Sequence, residues 1–221
     1  MALRAVFVDA AGTLLHPREP VGITYARAAR ARGHAADPVE VERRFRAALR
    51  ARGAAVQEGD GRAYWRPVLA EAVGLDDDAL FEALYQHFAR PRAWWVDTDA
   101  LRVLGALSRQ GIRIGIVSNW DTRLRVLYRR FALDRLCPYL FCSAEMGVEK
   151  PDPQIFAAAC RVVGVAPSEA VHVGDDLERD VAGASRAGLI ALHFDEERGW
   201  GSVESDVSRI RRGASMFARQ P

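Results

Sequence analysis

Residues 5–13 read Ala5-Val6-Phe7-Val8-Asp9-Ala10-Ala11-Gly12-Thr13. Four apolar residues, three of them β-branched or aromatic, run straight into a carboxylate and then a glycine turn. So short an apolar run, bounded by turn residues, predicts a strand buried on both faces. Its polar successor then falls at the carboxyl end of the strand, where open α/β sheets place their ligands.

The same arrangement recurs further along. Ile112–Val117 runs into Ser118-Asn119, and Ala170–Val173 into Gly174-Asp175-Asp176. Tyr139–Cys142 and Leu189–Phe194 add two more apolar runs. Helical periodicity fills the gaps at 99–110, 122–132, 153–164 and 178–187. Pro153 suits a first helical turn, and Gly111, Gly164 and Gly188 sit where helices should stop. Strands alternating with helices predict an α/β fold with a doubly wound, Rossmann-like parallel sheet.

One long detour interrupts that alternation. From Pro17 to Val96 the pattern is helical throughout, over Val21–Arg32, Pro38–Arg52, Arg62–Val73 and Asp78–Phe88, with no competing strand pattern. The expectation is an all-helical cap domain over 17–96, inserted into a core formed by 1–16 and 97–221. Segments 14–20 and 91–98 would serve as hinges.

Composition narrows the class. The chain has 221 residues, 49% hydrophobic and 27% charged, enough apolar material for a sizeable core. Thirty-one basic residues nearly balance twenty-nine acidic ones, without a concentrated cationic tract, so nucleic acid is not an expected partner. No run approaches the ~20 apolar residues a membrane span needs, and no cleavage-site pattern follows the first apolar run. A cytoplasmic location is expected, with no membrane partner. Cys137, Cys142 and Cys160 lack metal-ligand spacing and read as buried free thiols. Arginine-rich faces such as Arg27-Arg30-Arg32 and Arg43-Arg44-Arg46 read as solvated helix surfaces.

The strand ends converge on one chemistry. Asp9, Ser118-Asn119 and Asp175-Asp176 would share a crevice with Lys150, which lies in the GVEKPDP loop at 147–153. Hard oxygen ligands with an ammonium and a hydroxyl describe a site for Mg²⁺ and phosphate. Lys150 is also the only lysine; the other thirty basic residues are arginine. A compact, rotatable ammonium and a planar guanidinium are not interchangeable in a tight site.

These residues resemble the four motifs of the haloacid dehalogenase-like superfamily: Asp9-Ala10-Ala11-Gly12-Thr13, Ser118-Asn119, Lys150-Pro151, and Gly174-Asp175-Asp176 followed by Asp180. The position of the helical insert resembles subfamily I. The resemblance implies that Asp9 is a nucleophile, and that Asp9, the Ala11 carbonyl and Asp175 hold Mg²⁺. It implies that Ser118, Asn119 and Lys150 bind phosphate, and that Asp176, Asp180 and Asp121 play supporting roles. The substrate it implies is a small phosphorylated metabolite.

One position departs from the pattern. Superfamily phosphatases carry a second aspartate two residues after the nucleophile, as the general acid and base; here that residue is Ala11. Loss of such a group typically costs ~10²–10⁴-fold, so alkyl phosphates should suffer more than acyl or aryl phosphates. His16 and Asp121 are candidate replacements, each read by default as a surface residue. His172, inside the fourth strand, reads as a core histidine. Trp65, Trp94 and Trp95 would line a pocket or pack cap against core.

Two other readings stand beside the Mg²⁺-dependent phosphohydrolase. One is a catalytically silent phosphate-binding or interaction protein on the same scaffold. The other is a metal-independent 2-haloacid dehalogenase, since those enzymes also lack the second aspartate. Phosphonoacetaldehyde hydrolases share an Asp-x-Ala-Gly-Thr motif but use a cap lysine, and this cap has none. The Ser-Asn-aromatic-Asp run at 118–121 resembles a subfamily I branch that implies no particular substrate.

Overall fold

In the computed structural model, residues 3–52 and 59–213 are described here. Five strands form one parallel sheet: β1 (Ala5–Val8), β4 (Arg113–Ser118), β5 (Tyr139–Cys142), β6 (Ala170–Gly174) and β7 (Ile190–His193). Their spatial order is β5-β4-β1-β6-β7, with β1 in the centre. The chain builds outward from β1 through β4 and β5, then returns to lay β6 and β7 on the other side. The order therefore reverses beside β1, and the crevice beyond its carboxyl end is a topological switch point.

Side-chain alternation explains why β1 is apolar throughout. Val6 and Val8 pack into a cluster on one face of the sheet, with Leu104, Leu127 and Trp200. Ala5 and Phe7 point to the other face, against Ile155, Phe156 and Ala184. All four are fully buried, so β1 presents apolar side chains to both faces. Helices α5 (Thr98–Arg109), α6 (Arg123–Arg130), α8 (Pro153–Val163) and α10 (Gly199–Arg211) cover the sheet. At the start of α8, Asp152 accepts the Gln154 N–H and Pro153 takes the first helical position.

Helices α1 (Val21–Arg30), α2 (Pro38–Ala51), α3 (Arg62–Val73) and α4 (Asp78–Phe88) follow β1 and share an apolar cluster of their own, centred on Tyr25, Leu69, Leu80 and Leu84. Their limits agree with the expected helical runs to within two residues.

Two expectations need correction. The stretch around the insert does contain strand: β2 (Leu15–Pro17) pairs antiparallel with β3 (Trp94–Val96). Both expected hinge segments are thus joined to each other as a ribbon. Three-residue strands are too short to show alternation, which is why periodicity missed them. The expected helix at 178–187 is instead a wide π-type turn at Leu177–Ala182 followed by a short α9 (Gly183–Arg186). Among the described residues no helix is long and apolar enough to cross a membrane. The three cysteines are buried and free.

Candidate active site

Strand register brings the motif residues together. Val8 lies opposite Ile116 on β4 and Val173 on β6. The next residue, Asp9, donates its backbone N–H to Val173 O at 2.9 Å. Asp9 therefore emerges between the ends of β4, where Ser118 is buried, and β6, where Asp175 follows Gly174.

Oxygens of Asp9, Asp175 and Asp180 lie within 4.8 Å of one another. Lys150 Nζ donates to Asp9 Oδ1 and to Asp180 Oδ1, each at 2.6 Å. His172 Nε2 lies 2.7 Å from the same Asp180 oxygen, and the Asp176 N–H donates to Asp180 Oδ2 at 3.1 Å. Asp180 is thus a buried anchor that aims the lysine at Asp9. Burial alone would raise its carboxyl, but Lys150 and His172 outweigh that and hold it well below the usual range.

Two glycines make room for this cluster. Gly12 adopts φ +83°, and a Cβ there would sit 2.6 Å from Asp175 Oδ2. A Cβ on Gly174 would lie 2.2 Å from Asp180 Cγ. Thr13 Oγ1 donates to Asp175 Oδ1 at 3.2 Å and fixes that carboxyl's orientation.

The donor set suits a hard divalent cation. Three carboxylates face one ammonium, so negative charge is in excess. Desolvation first, then the charge of Asp180, raises the Asp9 carboxyl despite Lys150. Asp175 is open to water at the crevice, yet desolvation on its protein side and the charges of Asp9 and Asp180 push it up to about 7. A cation with oxygen preference would relieve both.

The remaining expected site residues divide. Asn119 clasps the lysine loop: its Nδ2 donates to Lys150 O at 2.7 Å and its Oδ1 accepts the Lys150 N–H at 2.8 Å. Asp176 turns away, with Oδ1 accepting the N–H groups of Glu178 and Arg179. Asp121 and His16 are both buried rather than on the surface. Asp121 Oδ1 accepts from Arg123 Nε at 2.8 Å, and its Oδ2 from Arg123 Nη2 at 2.7 Å and Trp65 Nε1 at 2.8 Å. With both oxygens engaged, it is a clamp rather than a free acid. His16 stacks on Trp95 at 4.6 Å. His172 is a core histidine, as expected, but a polar one that supports Asp180.

Beside the cluster opens a cavity of about 210 Å³, bounded by Ala11, Asn119 and Trp120 on the sheet side and by the inserted helices on the other. Trp65 and Trp94 line it. Its acidic lining residue is Glu149, which sequence reading missed. Glu149 is buried, and desolvation raises its carboxyl against Arg179 and Lys150. Arg123 was also missed, since one arginine among thirty carries no signal of its own.

Fold, strand-end carboxylates and lysine together define a hydrolase. The sequence profile of the haloacid dehalogenase-like hydrolases matches residues 3–188, and the chain belongs to that family. Over 202 residues it is 32% identical to haloacid dehalogenase-like hydrolase domain-containing protein 3 of Xenopus laevis, covering 86% of this chain and 83% of the relative. A glyceraldehyde 3-phosphate phosphatase of Methanopyrus kandleri is 37% identical over 102 residues, 43% of this chain and 42% of that protein. Among solved structures, a HAD phosphatase from Thermococcus onnurineus superposes with TM-score 0.62 at 26% identity, covering 87% of this chain and 86% of the other. A dehalogenase superposes with TM-score 0.69, also at 26% identity, covering 87% and 85%.

Proposed function

We propose that the chain is a Mg²⁺-dependent phosphohydrolase acting on a small phosphorylated metabolite, with residues 17–96 as its cap domain. The observation that carries this reading is the meeting of Asp9, Asp175 and Asp180 around Lys150. The Methanopyrus and Thermococcus phosphatases support it by similarity.

Asp9 and Asp175, with the Ala11 carbonyl, would hold the cation, which when bound supplies charge stabilisation for the phosphoryl oxygens. Lys150 neutralises part of the charge on Asp9 and the incoming phosphate, so two anions approach each other. Ser118 would hydrogen-bond a phosphoryl oxygen. An Asp9 carboxylate oxygen attacks phosphorus as the bond to the organic group breaks, giving an aspartyl-phosphate and an alkoxide or its equivalent. Water then cleaves the aspartyl-phosphate, releasing inorganic phosphate and restoring Asp9. Residue 11 offers no proton to the leaving group, so groups that depart as stable anions react fastest.

Dehalogenation is the weaker reading because an excess of carboxylates without a cation would repel an anionic haloacid. The retained Asp9, Lys150 and Asp175 argue against a silent scaffold.

Purified protein would be incubated with p-nitrophenyl phosphate and acetyl phosphate, in Mg²⁺ or EDTA, beside Asp9→Asn. Metal-dependent turnover that disappears in Asp9→Asn is expected. Equal rates in both proteins, or chloride release from a 2-haloacid without metal, would overturn the reading.

A further inference from the structure

The cavity beside Ala11 extends into the apolar cluster of the inserted helices, with Phe45, Leu49, Leu69, Phe81 and Leu84 among its walls. Cavities of ~150 Å³ with such walls accept benzene. About 210 Å³ therefore holds a substituted ring or two fused rings.

Five of the polar side chains along the walls are engaged by the protein, and Tyr25, Tyr64, Trp120, Glu149 and Arg179 stand beside them in an otherwise apolar lining. Asn119 uses both ends of its amide on Lys150. Arg123 is paired with Asp121 and lies over the Tyr85 ring at 3.9 Å. The Tyr85 hydroxyl donates to Asp60 O at 2.6 Å, Trp65 Nε1 to Asp121, and Trp94 Nε1 to Phe88 O at 2.9 Å. On walls this apolar, a polyol or sugar phosphate would give up water around several hydroxyls for few partners. The charged side chains in the wall are Glu149, Arg179 and the Asp121-paired Arg123, so the cavity carries both signs.

We infer that this cavity is the subsite for the organic part of the substrate, and that the substrate is a monophosphate of a ring-sized apolar group rather than of a sugar or short polyol. The inference rests on the phosphohydrolase reading for the identity of the head group alone. Ala11 lines the cavity two residues after Asp9, so at that position no carboxylate stands in the path of the ring.

Calorimetric titration of the full chain in Mg²⁺ with 1-naphthylphosphonate and methylphosphonate tests this without turnover. The naphthyl compound is expected to bind at least roughly tenfold more tightly, the scale on which apolar pockets discriminate. Leu49→Trp and Leu84→Phe, each checked for native circular dichroism, are expected to shrink that ratio to about threefold or less by filling the cavity. A wild-type ratio near one, or a ratio preserved in both folded variants, would overturn the assignment. If no phosphate ester is hydrolysed yet the ratio and its collapse are seen, the subsite stands and the phosphohydrolase reading falls. If acetyl phosphate is hydrolysed while the ratio is one, the reverse holds.

Discussion

The indole Nε1–H of Trp65 donates to Asp121 Oδ2 across 2.8 Å, tying helix α3 of the insert to the loop that follows β4. The same carboxylate holds Arg123 by three further bonds, from its backbone N–H, Nε and Nη2, and the Asp121 side chain is fully buried. Asp121→Ala leaves the Arg123 guanidinium nearly buried without its anion and should cost about 3 kcal/mol. Trp65→Phe removes one hydrogen bond while the ion pair remains, so about 1 kcal/mol is expected. Urea unfolding of the two variants measures both; equal losses would contradict the clamp.

Residue 11 is the second test. Ala11→Asp places a carboxyl beside Asp9, the proposed nucleophile, and should raise turnover of alkyl phosphates by up to ~10²-fold. Acetyl phosphate, whose leaving group needs no proton, should gain much less. Steady-state kinetics on both substrates give the ratio. A uniform change for the two would mean that the new side chain does not reach the leaving oxygen.

Gly174 tests the packing behind the lysine. A methyl group there would collide with Asp180 Cγ at 2.2 Å, between two buried groups that have no room to move apart. Gly174→Ala should destabilise the protein by about 3 kcal/mol, at the upper end for overpacking. Thermal unfolding reads the loss, and an unchanged midpoint would show that the cluster relaxes freely.

Asp175 supplies a pH signature. Its carboxyl is pushed up to about 7, against 3.8 for the ordinary group. Between those values the native protein holds a proton that the unfolded chain releases, so in EDTA this group lowers stability as pH rises from about 4 to about 7. Carboxylates held low by arginine, such as Glu19 and Glu71, have the opposite sign. Their contribution is complete above the ordinary 4.5 and is lost only in acid. His87, lowered mainly by desolvation, gains stability as pH rises through the ordinary 6.5. The difference between wild type and Asp175→Asn isolates the carboxyl. Wild type should lose ground to the variant between about pH 4 and about pH 7 in EDTA, and Mg²⁺ should abolish the loss. Parallel curves in EDTA would remove Asp175 from the account.

Much of this was legible in the residues themselves. Short apolar runs such as Ala5–Val8 announced buried strands, and their polar successors marked the crevice. The insert announced itself through helical spacing from Val21 to Phe88. What stayed hidden depended on side-chain direction. Asp176 and Asp180 both follow β6 and look equivalent as letters, yet one caps the turn at Leu177 and the other anchors Lys150. Asp121 reads as a candidate acid until Trp65, 56 positions away, claims one of its oxygens. Glu149 looks like a loop residue, because nothing local reveals that four distant helices close a cavity against it.

Lys150 has one more consequence. It carries the only side-chain primary amine in the molecule, 3% exposed and locked as an ammonium between two carboxylates. Acylating reagents attack neutral, accessible amines, so in the native state this one is shielded on both counts. Any acylation found there by peptide mapping records a moment when the core parted. The chain thus carries a built-in single-site clock for its own breathing, requiring no engineered label.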